Sequence, residues 1–128
     1  MRTDYLPDEM EICYFKMDSG FTCLKLDGSK LIVTGPKDDM VEPSAEEWMA
    51  FWEKLEEIGL WNIQEDYDRC CMGDGYSWEI RISHNGNNID STGMNDGPTH
   101  VVGGEIVSAL EEFFDALEDL CGVELGMS

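Results

Sequence analysis

Apolar positions along the chain follow two different periods. Residues 10–17 (MEICYFKM) are rich in β-forming types, and residues 21–26 (FTCLKL) alternate, with Phe21, Cys23 or Leu24, and Leu26 apolar. Residues 30–34 (KLIVT) form a third short run that Gly35-Pro36 closes. Asp18-Ser19-Gly20 and Asp27-Gly28 lie between these runs. Both supply turn chemistry, because Gly and Asp tolerate positive φ. The pattern predicts a three-stranded antiparallel meander.

After an acidic, polar link from Lys37 to Pro43 the period lengthens. Ser44 and Glu47 have capping-box spacing: the hydroxyl accepts from the backbone N–H three residues on, and the carboxylate reaches back. Trp48, Phe51, Trp52, Leu55 and Ile58 recur at helical spacing, and Gly59 with Leu60 suits the helix end. Residues 61–75 read as irregular. Strict alternation returns over 77–83 (SWEIRIS), with Trp78, Ile80 and Ile82 on one side and Glu79 and Arg81 on the other. Asn85-Gly86 is a strong hairpin signal, and residues 87–92 return as a strand with Ile89 inward.

Gly93 to Gly104 reads as a loop. A second helix is expected from about Glu105 to Cys121, with the stripe Ile106, Leu110, Phe113, Phe114, Leu117 and Leu120, capped by Gly122. The order βββ-α-ββ-α predicts an α+β fold: an antiparallel sheet of about five strands with two amphipathic helices on one face. A lone hairpin is marginal in water, so the meander and the 77–92 hairpin are expected to share one sheet. At 128 residues the chain is read as a single α+β domain, 1–128.

Charge changes the picture. The chain carries 28 Asp and Glu against 8 Lys and Arg, a net of −20. Nucleic acid and anionic membrane surfaces repel such a chain, so neither is expected as a direct partner. No run approaches the ~20 apolar residues of a membrane span. The opening residues lack a basic-then-apolar leader. Together with an odd count of five cysteines, this leads to an expected cytoplasmic, reducing location. Cys13, Cys23 and Cys121 are expected as small buried hydrophobes; Cys70-Cys71 sits in a polar, Gly-rich connection.

No motif marks an enzyme. P-loop, dinucleotide, G-x-S-x-G and H-E-x-x-H patterns are missing from the sequence. Asp66, Asp68 and Asp74 share a Gly-containing stretch, but a calcium-loop register beginning at Asp66 puts Cys70, Cys71 and Ser77 at positions 5, 6 and 12. His84 and His100 lack a nucleophile context. The loop from Ser91 to Pro98 is Gly-rich, yet Asp90, Asp96 and Glu105 would repel a phosphate. No cofactor and no metal are expected.

The second helix has only acids on its outward positions, and no Lys or Arg follows residue 82. Like charges at i, i+4, such as Glu111 with Asp115, cost a few tenths of a kcal/mol each. One reading is a solvated face that serves only solubility, on a small structural or housekeeping domain. The other is a surface that meets a cationic partner, where complementary potential speeds encounter and rejects wrong partners.

Three of the four tryptophans fall in register with apolar faces; Trp61, with Tyr67 and Tyr76, is the expected exception. The expected contact surface therefore comprises Glu53, Glu56, Glu57, Trp61, Asp66, Tyr67, Asp68, Asp74, Tyr76, Glu111, Glu112, Asp115, Glu118 and Asp119.

Trp48, Phe51 and Leu55, then Leu60-Trp61, Tyr67, Asp74-Gly75, Trp78-Glu79-Ile80, Ser91, Gly93, Asn95 and Pro98 make a pattern that resembles small bacterial proteins of uncertain function. The likeness covers about the last two thirds of the chain and implies no catalytic residues. In size and charge the chain is also similar to acidic immunity proteins that neutralise toxins. The expected function is thus non-catalytic: inhibition of a basic toxin or nucleic-acid-processing protein. A DNA-mimicking inhibitor that spaces carboxylates like phosphates is a close variant.

Overall fold

Alternating burial along the strands separates two faces of one sheet. In β1 (Glu9–Lys16), Met10, Ile12 and Tyr14 are buried while Glu11, Cys13 and Phe15 point the other way. In β6 (Tyr76–His84), Trp78, Ile80, Ile82 and His84 take the buried side, as the period-2 pattern predicts. The computed structural model describes residues 5–16, 20–35, 38–68, 75–94 and 97–122.

The sheet continues through β2 (Gly20–Asp27), β3 (Lys30–Thr34), β4 (Asp39–Val41), β5 (Asp66–Asp68) and β7 (Asn87–Met94). Its strand order is β4-β3-β2-β1-β6-β7-β5. Neighbours are antiparallel except β5 and β7, which run parallel. The meander and the later hairpin do join, because β1 pairs with β6 along its whole length. The Asn85-Gly86 turn has positive φ at both residues, 50° and 82°, as a type I′ hairpin needs.

Both helices cover one face. In α1 (Ala45–Ile58) the capping box forms as read: Glu47 N–H donates to Ser44 Oγ at 3.2 Å, and Ser44 N–H donates to Glu47 Oε1 at 2.9 Å. Gly59 ends the helix at φ 71°. Trp52 of α1 stacks on His84 of β6 at 4.1 Å, and Phe114 of α2 (Ala109–Cys121) meets Tyr14 of β1 edge-on at 4.9 Å. Tyr14 lies opposite Trp78, so His84 and Tyr14 belong to the same side of the sheet.

Several expectations are corrected. The sheet has seven strands rather than about five. The two extra strands, β4 and β5, are three residues each and carry Asp, too short and polar to show a period. The expected loop and first helical turn at 93–108 differ most. After β7, residues Thr99–Val102 (β8) and Glu105–Ser108 (β9) form a separate two-stranded hairpin around Gly103-Gly104. Helix α2 begins only at Ala109, where Glu111 N–H donates to the Ser108 hydroxyl at 3.1 Å. Ile106, expected in the helix stripe, is 77% exposed on β9.

Cysteine placement also departs from expectation. Cys121 is buried and free, but Cys13 and Cys23 are half-buried, sit directly opposite each other on β1 and β2, and form a disulfide. Phe21 and Cys23 face away from the helices, and Leu24 and Leu26 take the core side. Cys70 and Cys71 lie outside the described residues.

Candidate protein-binding surface

The outward positions of α1 and α2 follow from the same helical period that buries their inner stripes. Burial of Trp48, Phe51, Trp52, Leu55 and Ile58 leaves Glu46, Glu47, Glu53, Glu56 and Glu57 outside. Burial of Leu110, Phe113, Phe114, Leu117 and Leu120 leaves Glu111, Glu112, Asp115, Glu118 and Asp119 exposed or half-buried. Lys54 is the single basic residue in either helix, 3.9 Å from Glu57.

Side by side, the helices run in opposite directions: Glu47 at the start of α1 and Asp119 and Leu120 at the end of α2 line the same seam as Lys54 and Glu112. Phe51 and Phe113 bring the two together with ring centroids 6.0 Å apart. Ala50 and Ala116 are too small to fill the seam, so a groove of about 430 Å³ remains. Phe51, Ala116 and Leu120 form its floor, and Glu47, Glu112, Asp115 and Asp119 stand with Lys54 along its walls. An apolar floor with carboxylate walls accepts a segment that carries both apolar and cationic side chains.

Of the residues expected at the surface, Glu112, Asp115 and Asp119 converge on this groove. Glu111 is exposed in the first turn of α2. Glu118 is half-buried near Cys121, whose thiol burial pushes up to about 12, with Asp39, Glu47 and Glu118 adding to the rise. Glu53 and Glu56 border a second hollow, formed with Tyr5, Met49, Trp52 and His84, while Glu57 pairs with Lys54.

The aromatic members are half-buried and pack on core side chains. Trp61 stacks on Trp52 at 6.0 Å, Tyr67 packs on Trp78 at 5.8 Å, and Tyr76 stacks on Tyr14 at 6.3 Å. Asp66 lines a depression on the opposite, helix-free face. Asp68 belongs to β5, and Asp74 lies outside the described residues. The sheet therefore divides the expected surface in two. Glu47 and the small residues Ala50 and Ala116 were missed by sequence reasoning. Their signal is present: small residues at the border between the apolar and acidic stripes of both helices.

Among the described residues no group of three or more His, Cys, Asp or Glu is arranged to hold a metal ion. No described helix is long and apolar enough to cross a membrane. No protein-family model matches the chain, and comparison with curated proteins returns no match.

Proposed function

We propose that this protein is a non-catalytic binding protein whose helix layer captures a basic protein partner and occludes it, in the manner of an immunity protein against a nuclease-like toxin. The groove between α1 and α2 carries the reading. Its walls hold four carboxylates and its floor is apolar, so a basic segment of the partner gains Coulomb attraction and burial at one place. The net charge of −20 steers a cationic partner towards it from a distance. A target that binds nucleic acid presents Lys and Arg at its own site, and covering those residues blocks its substrate.

The proposed place of action is the cytoplasm. The groove lies on the other face of the sheet from the Cys13–Cys23 bond and does not depend on its redox state.

The test uses two baits in lysate of the native host: the wild-type chain and the triple variant Glu112→Lys, Asp115→Lys, Asp119→Lys. The expected result is one basic protein held by the wild type, released as added salt screens the charges, and not held by the variant. Equal capture by both baits, or capture of nothing by either, would leave the acidity a matter of solubility and defeat the proposal.

A further inference from the structure

The helix-free face of the sheet carries its own binding site by register alone. Phe21 lies opposite Phe15, Phe15 opposite Ser77, and Ser77 opposite Met94, so these four form one row across β2, β1, β6 and β7. The adjacent row runs Cys23, Cys13, Glu79, Thr92 and Asp66. Two small side chains, Ser77 and Thr92, therefore sit beneath larger neighbours. They leave a depression of about 310 Å³ bordered by Phe15, Phe21 and Met94, with Glu79 and Asp66 beside it.

Two features of this site point to one class of ligand. Its apolar border is exposed rather than packed: Phe15 is 41%, Phe21 54% and Met94 54% accessible. Aromatic faces attract a flat cation, and Phe15 and Phe21 stand directly opposite each other on β1 and β2. The charge beside them is anionic, and no Lys or Arg is among the described residues lining the depression. Arg81 reaches Glu79 at 3.5 Å from the next row and leaves Asp66 on the far side of Thr92. An anion is repelled here, and a wholly apolar ligand leaves Asp66 without a counter-charge among the described residues.

We propose that this depression binds a guanidinium on an apolar stem, that is, an arginine side chain presented by another protein. Phe15 and Phe21 cover the flat cation, Met94 packs on the methylene stem, and Glu79 and Asp66 accept its N–H groups. The site is separate from the helix groove, since the sheet lies between them, and it does not rest on the function proposed above.

The test is a titration of the full chain at low salt, followed by amide chemical shifts, with butylguanidinium as the arginine probe. Butylurea, its neutral isostere, is the control. The expected result is saturable shifts at Phe15, Ser77, Glu79 and Thr92 with butylguanidinium, and at least tenfold weaker binding of butylurea. Phe15→Thr and Phe21→Thr, at exposed β positions that Thr tolerates, should each weaken butylguanidinium about threefold or more. Glu46→Gln, exposed on the first turn of α1 and outside both sites, should leave it unchanged. No saturable shift, equal binding of butylurea, or full affinity in both Phe variants would overturn the assignment. Loss of the helix-layer partner in the separate capture experiment would leave this result intact.

Discussion

The two faces of the sheet solve the problem of charge in opposite ways. On the helix-free face, opposite charges alternate and meet: Lys25 lies 3.9 Å from Glu11, and Arg81 lies 3.5 Å from Glu79 and 3.9 Å from Asp90. On the helix layer ten acids share one Lys. Stability alone favours the first arrangement, because interspersed signs give small gains where like signs at i, i+4 give small losses. One core supports both faces, so core packing does not set the difference in surface charge. The apolar positions reverse the contrast. Large apolar side chains of the helices are mostly buried, whereas the open face leaves Phe15, Phe21, Met40 and Met94 accessible.

The sharpest way to test that contrast is to change the same residue type on either side. Phe113 is fully buried, packed on Phe51 at 6.0 Å and Phe114 at 5.8 Å. Phe113→Ala should cost about 3–5 kcal/mol in denaturant unfolding. Phe21→Ala, at a site already 54% exposed, should cost under about 1 kcal/mol.

Second in size is the staple of the open face. Removing the Cys13–Cys23 bond by the double change to Ser should cost about 2–3 kcal/mol, read as a lower midpoint against the oxidised wild type. Little or no change would show that β1–β2 pairing holds without it.

Gly93→Ala comes next, at about 1–3 kcal/mol by overpacking. Gly93 lies opposite Trp78 on β6 and Tyr67 on β5, and a Cβ there would run into the Trp78 indole.

Cys121 has a pH signature. Its folded thiol sits at about 12 against an ordinary 9.0 because burial disfavours the thiolate. A pKa raised on folding gives stability that is complete below pH 9 and is lost as pH climbs towards 12. Cys121 should therefore resist alkylation at pH 8 until the chain unfolds, and Cys121→Ser should flatten the loss of stability above pH 9.

The smallest stability effect belongs to the helix surface. Asp115→Lys breaks the like-charge spacing with Glu111 and Asp119 and should stabilise by a few tenths of a kcal/mol in the same unfolding assay. A surface improved by losing its acids has not been shaped by stability.

What was legible in the sequence was the set of elements that bury a long, regular face. Helix α1 had a cap, a five-residue apolar stripe and a terminal Gly, and all three appear where read. Strands β6 and β7 had alternation and an Asn-Gly turn. Three-residue β4 and β5 exist through pairing with neighbours, which no local period records. The β8–β9 hairpin was hidden because Ile106 stands four residues before Leu110, a helical spacing. Ser108 with Glu111 repeats the Ser44–Glu47 spacing and marks the true start of α2. For the candidate site, helix period alone places Glu112, Asp115 and Asp119 on one surface. It does not show that Asp66 lies on the other face, because that depends on the side of the sheet into which β5 pairs it.

The central claim is that the acidity acts where it is placed. The direct measurement is the association rate of the captured basic partner across ionic strength, for the wild type, Asp115→Lys and Asp90→Lys. The two variants change net charge equally but on opposite faces. The account predicts that Asp115→Lys slows association and flattens its dependence on salt, while Asp90→Lys stays close to wild type. Equal slowing by both would contradict it, and would mean that the partner responds to the total charge of the chain rather than to the helix layer.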